Sequence, residues 1–188
     1  GVSVSSAGDI NGDGYDDVII GAFRDAPNGA DSGASFVVFG KAGGFSASLQ
    51  LSTLNGSNGF SIDGVSAGDR LGFSVRGAGD VNADGIDDFI IGASLSATNG
   101  ADSGSAYVVF GQTGFGSSFD LTTLNGSNGF TINGVSSDDQ LGISVNAAGD
   151  VNGDGIGDVV VGAFQDDPNG ADSGAAYVIF GKTSAFSP

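Results

Sequence analysis

Residues 9–17 read DINGDGYDD, and nearly the same letters return as DVNADGIDD at residues 80–88 and as DVNGDGIGD at residues 150–158. Odd places in each copy hold Asp, Asn, Asp, a variable residue and Asp, and the sixth place is Gly. Calcium, a hard cation, takes about six to eight oxygen ligands, and a short loop wraps it when alternate residues turn inward around a glycine. The first copy meets that demand with side-chain oxygens of Asp9, Asn11 and Asp13, the backbone carbonyl of Tyr15 and the carboxylate of Asp17. The corresponding sets are Asp80, Asn82, Asp84, Ile86 and Asp88, then Asp150, Asn152, Asp154, Ile156 and Asp158. Tyr or Ile stands at the seventh place, as expected where only the carbonyl matters, and Asp16, Asp87 and Gly157 show that the eighth place does not require a carboxylate. Asp, Asn and Gly are also ordinary turn residues. Turn chemistry alone does not explain three copies that vary only outside the ligand places, nor a cluster of like charges without a cation.

Working outward, the offsets between copies are 80 − 9 = 71 and 150 − 80 = 70 residues. The same offsets relate FVVFG at 36–40, YVVFG at 107–111 and YVIFG at 177–181, and also PNGADSG at 27–33, TNGADSG at 98–104 and PNGADSG at 168–174. A longer block, LSTLNGSNGFSIDGVS from Leu51, recurs as LTTLNGSNGFTINGVS from Leu121. The missing residue falls between Gly111 and Phe115, in a Gly-rich turn where chain length is cheap to change. The array divides into a first repeat at 1–56, truncated at its start, a second at 57–126 and a third at 127–188, truncated at its end.

Short runs of Val, Ile and Phe separated by Gly, Asn, Asp and Ser clusters are the signature of strands and turns. In the central unit they predict strands at Phe73–Ala78, Asp88–Ala93, Ser105–Phe110 and Gly129–Val135. The middle two are nearly continuous apolar runs, which places them inside a sheet. The first is rich in small residues, as expected where strands crowd near an axis. Helix is disfavoured: all 22 acidic residues are Asp, Gly supplies 36 of 188 residues, and Met and Glu are absent. The expected fold is all-β, with four-stranded antiparallel units forming blades of a β-propeller. About three blades are present, fewer than the usual four to eight, so the chain reads as an incomplete propeller or part of a larger array.

A formal charge of −17 repels nucleic acid and anionic lipid, and makes divalent cations the natural partners. No Cys is available for a disulfide, no apolar run approaches a membrane span, and no signal peptide or initiator Met is seen, so the sequence reads as processed or excised from something longer. Without His or Cys the chain cannot assemble a Ser-His-Asp triad or a thiolate nucleophile. Its five Lys and Arg residues form no anion-binding cluster, and no enzymatic activity is expected.

The calcium loops run into β-branched or aromatic residues, Val18-Ile19-Ile20 in the first copy, and not into the helix of an EF-hand. With a preceding Leu71-Gly72 or Leu141-Gly142 step and a following Gly21-Ala22-Phe23, Gly92-Ala93-Ser94 or Gly162-Ala163-Phe164 step, the chain resembles FG-GAP repeats over essentially its whole length. These are the units of the integrin α-subunit propeller and of many bacterial surface proteins. Leu replaces Phe in the first step and the Pro of the last is lost, while the loop is intact in all three copies. The resemblance implies a propeller with about one calcium per repeat, three in all, on one face and partner-binding loops on the other. The expectation is an extracellular or cell-surface, calcium-stabilised module for adhesion or protein interaction, with a protein or glycan ligand and the PNGADSG and TNGADSG loops among its contact surfaces. The alternative is a structural filament or sheath assembled by self-association.

Overall fold

A computed structural model of the chain describes residues 1–187; Pro188, the last residue of the third repeat, lies outside the described residues. The elements in chain order are β1 (Ser3–Gly8), β2 (Asp17–Ala22), β3 (Ala34–Val38), β4 (Gly59–Asp63), β5 (Leu71–Gly79), β6 (Asp88–Ala93), β7 (Ser105–Val109), β8 (Ser118–Phe119), β9 (Gly129–Asn133), β10 (Leu141–Gly149), β11 (Asp158–Ala163) and β12 (Ala175–Ile179). The only described helical pieces are single 3-10 turns at Leu51–Thr53 and Leu121–Thr123. Depleted of strong helix formers, the chain folds as an all-β protein.

Three sheets form, ordered β1-β2-β3-β4-β8, β5-β6-β7-β9 and β10-β11-β12. Within the sheets the strand pairs are antiparallel except a short parallel one between β4 and β8, where Ser61 faces Ser118 and Ile62 faces Phe119. The sheets are blades of an incomplete propeller. The four strands expected in the central unit are present, the first extended to Leu71–Gly79 by bulges beside Gly72 and Ala78. The two-residue strand β8 has no counterpart in the sequence expectations, because two residues carry no readable alternation.

Each blade turns a front face toward the blade before it and a back face toward the blade after it. In the first junction the back of the first blade, with Ile19, Val37 and Phe60, packs on the front of the second, with Val75, Phe89 and Ile91. The second junction repeats this with Ile90, Val108 and Phe130 against Val145, Val159 and Val161. A sheet buried on both faces needs apolar residues at consecutive positions. All six residues of β6, DFIIGA, are accordingly buried. A loop ring closes each junction: Phe115 stacks on Phe60 at 4.3 Å and Phe186 on Phe130 at 4.0 Å.

Candidate metal centre

Each Asp-rich loop bridges the first two strands of a blade, and all three copies carry one hydrogen-bond pattern. The first-place carboxylate accepts two backbone N–H groups: Asp9 Oδ1 from Asp13 at 3.0 Å and Oδ2 from Gly14 at 2.8 Å. Asp80 and Asp150 do the same with Asp84 and Gly85 and with Asp154 and Gly155. Asn11, Asn82 and Asn152 accept from the N–H of the fifth-place Asp through Oδ1, each at 2.9 Å. Asp13, Asp84 and Asp154 accept from the N–H of Tyr15, Ile86 and Ile156 at 3.0, 2.9 and 2.9 Å. Gly14, Gly85 and Gly155 have φ of 90°, 89° and 87°, a left-handed conformation that favours glycine and turns the chain back.

The ninth-place aspartates are placed differently. Asp17, Asp88 and Asp158 are fully buried at the strand starts. Asp88 accepts from the N–H of Val81 at 2.8 Å and of Gly111 at 2.9 Å, and Asp17 and Asp158 bond in the same way to Ile10 and Gly40 and to Val151 and Gly181. One carboxylate thus stitches the loop's entry to the glycine that follows the third strand of its blade. Burial pushes the carboxyl of Asp17 up to about 6 and that of Asp88 up to about 7, against the opposing pull of these backbone N–H groups. Nothing local to DINGDGYDD foretells this role, since the partner glycine lies 23 residues away.

The eighth place also has a task that the sequence reading missed. Asp87 accepts from the backbone N–H of Asp9 at 3.0 Å and so ties the second loop to the first. At the next junction Gly157, lacking a side chain, donates its own N–H to the carbonyl of Asp80 at 3.0 Å.

The donor chemistry fits calcium: each loop offers only oxygens, and a carboxylate oxygen that accepts one N–H keeps a second lone pair. As the side chains stand, no group of three acidic side chains among the described residues is arranged to hold a metal ion. The first-, third- and fifth-place donors lie together at the loop tip, while the ninth-place carboxylate is engaged inward. Closing the set around an ion would require that carboxylate to share an oxygen with its backbone donors.

The loops at 27–33 and 98–104 act as clasps between blades, while the bonds of the loop at 168–174 are local. Asn28 and Asn99 donate to the carbonyls of Gly64 and Gly134 at 2.9 and 2.8 Å, just past the fourth strand. The carbonyls of Asp31 and Ser32 accept from Arg70 and Leu71 at 3.0 and 3.1 Å, seating the first strand of the next blade, and Asp102 and Ser103 do likewise for Gln140 and Leu141. Much of their polar character therefore serves the fold, while Ala30, Asp31 and Ala101 remain exposed.

Bladed sheets with one acidic hairpin loop apiece define a repeat protein of the propeller class. The FG-GAP repeat matches residues 1–38, 72–109 and 142–179, and the chain belongs to the FG-GAP repeat family. It is similar to integrin alpha-PS2 of Drosophila melanogaster, 31% identical over 180 residues that cover 93% of this chain and 11% of that protein. Integrin alpha-5 of Xenopus laevis is 30% identical over 169 residues, 87% of this chain and 14% of that protein. The chain thus spans roughly a tenth of the length of these relatives. No helix among the described residues is long and apolar enough to cross a membrane.

Proposed function

We propose that this chain is a calcium-stabilised extracellular module for adhesion or protein interaction, without catalysis of its own. The observation that carries the proposal is the threefold recurrence of one oxygen donor set, held by the same hydrogen bonds at the same hairpin of every blade. The integrin relatives support the surface-interaction reading. Asp9, Asn11, Asp13, the Tyr15 carbonyl and Asp17 would hold one ion, and the equivalent residues of the other loops would hold two more. Calcium there supplies charge neutralisation, moving the formal charge from −17 by +6 to about −11. It also cross-links a loop tip to a strand start.

Extracellular modules bind calcium with dissociation constants of about 0.1 to 1 mM, and a tenfold excess of ion over that constant adds about 1.4 kcal/mol per site. Melting of the chain in several millimolar calcium and in excess chelator tests the reading. The expected result is a rise with calcium that shrinks stepwise as Asp13, Asp84 and Asp154 are replaced by Ala. Identical melting in both conditions, with no heat of calcium binding by calorimetry, would sink it. A filament is the second reading, favoured by the close identity of the repeats, LSTLNGSNGF from Leu51 and LTTLNGSNGF from Leu121.

A further inference from the structure

At each internal junction the Asp-rich loop of one blade lies against two positions of the next: the eighth place of that blade's own loop, and the residue after the glycine that follows its third strand. Against the first loop these are Asp87 and Gln112; against the second, the equivalent positions hold Gly157 and Lys182. Backbone bonds fix the contacts: the N–H groups of Gln112 and Lys182 donate to the carbonyls of Ile10 and Val81, and that of Gly157 to the carbonyl of Asp80, at 3.0 Å each. The Asp87 carboxylate accepts from the N–H of Asp9, the first residue of the first donor set. Lys182 lines one crevice with Asn82 and Asp84, the third- and fifth-place donors of the second loop. Glycine usage follows the same difference. Gly8 has a φ of 77°, and a Cβ there would run into the Asp87 carboxylate, whereas a Cβ on its equivalent Gly79 would meet nothing within 4 Å. Two loops with one donor set therefore have different neighbours, a carboxylate and a neutral amide at the first, no carboxylate and an ammonium at the second.

We propose that the following blade sets the calcium affinity of each loop through these two positions, so that the first loop binds the ion more tightly than the second and fills before it. The inference rests on the calcium reading above. Charge count tunes calcium affinity among loops that share a ligand pattern. Asp87 adds a negative charge beside the first donor set, and Lys182 adds a positive charge beside the second, so both differences act in one direction. Nothing within the loops offsets them. Asp9 and Asp80 accept the same pair of backbone N–H groups, and each loop carries an Asp at its own eighth place, Asp16 and Asp87. The letters of the two loops do not rank them; the neighbouring blade does.

Solvent-exposed charges change one another's binding by a factor of about two to five, so the two differences together give about tenfold. Salt separates this effect from a structural one. The advantage of the first loop shrinks as the Debye length falls from about 30 Å at 0.01 M salt to about 3 Å at 1 M. An Asp87 carboxylate that only braced the fold would leave the ratio of the two affinities unmoved by salt.

The test is calorimetric titration of calcium into the 188-residue chain with one of these loops left working. Asp84→Ala with Asp154→Ala leaves the first loop, and Asp13→Ala with Asp154→Ala leaves the second. The first is expected to bind about tenfold more tightly, by a margin that narrows as salt is raised. Exchanging the neighbours is expected to reverse the order: Asp87→Gly with Gln112→Lys weakens the first loop by about tenfold, and Gly157→Asp with Lys182→Gln tightens the second by a similar factor. Asp87→Asn keeps an oxygen for the N–H of Asp9 and removes the charge, and is expected to weaken the first loop by about two- to fivefold. Melting in chelator checks that each variant is folded. Where Gly157→Asp is not, Lys182→Gln alone, at an exposed side chain, is expected to tighten the second loop by about two- to fivefold. Folded chains whose two loops bind calcium equally, or whose affinities do not respond to the exchanges, would overturn the proposal and leave the calcium reading standing. Folded chains that bind no calcium at either loop would overturn both.

Discussion

Replacing Gly92 with Ala tests whether the sheets stack as blades. Gly92 lies in β6, and a Cβ added there would stand 1.9 Å from the carbonyl oxygen of Gly142, on the next blade, and 2.5 Å from Ser74 Oγ. An ordinary contact begins near 3.4 Å, so the second junction would have to open by about 3.4 − 1.9 = 1.5 Å, against backbone that cannot rotate away. Overpacking of a tight core costs about 1 to 3 kcal/mol, and the lower unfolded-state entropy of Ala returns about 0.4 to 1 kcal/mol. We expect a net loss of about 1 kcal/mol, which in a chain of this size lowers Tm by about 2 to 4 °C. The fold supplies its own control. Gly162 occupies the same place in the third blade, whose back is uncovered, and a Cβ there meets only the Ser144 side chain closer than 3.4 Å. Gly162→Ala should therefore shift Tm by less than half as much at concentrations where the chain is monomeric. Thermal melts followed by circular dichroism decide it, and equal shifts for the two variants would refute the stacking argument.

Asp88→Asn, measured in chelator so that no ion contributes, should cost about 1 to 3 kcal/mol: the amide cannot accept from both Val81 and Gly111, and a buried N–H loses its partner. Denaturant midpoints check this, and an unchanged midpoint would remove the stitching role. Phe60→Ala deletes a fully buried ring that stacks on Phe115, and should cost about 3 to 5 kcal/mol, or about 6 to 20 °C in Tm. Chelator-subtracted melts of Asp84→Ala should show the calcium increment reduced by about one third if three equal sites contribute. An increment equal to that of wild type would exclude the second loop as a site.

What the sequence determined by itself was local or periodic. The 71- and 70-residue offsets, the strand runs and the turn clusters were legible because alternation, turn chemistry and repetition are written in neighbouring letters. The hairpin turn of each Asp-rich loop was legible for the same reason: Asp9 to Asp17 are near neighbours in sequence, and Gly14 marks where the chain turns back. Tertiary structure decided whatever depends on residues distant along the chain. It turned Asp17 inward to Gly40, gave Asp87 a partner 78 residues away at Asp9, and made Asn28 and Ser32 parts of a clasp on the neighbouring elements. It also separated Val108 from Val178, equivalent letters in two copies of one pattern, one buried and the other exposed. Burial depends on which sheet packs against a face, and a repeat cannot state that about itself.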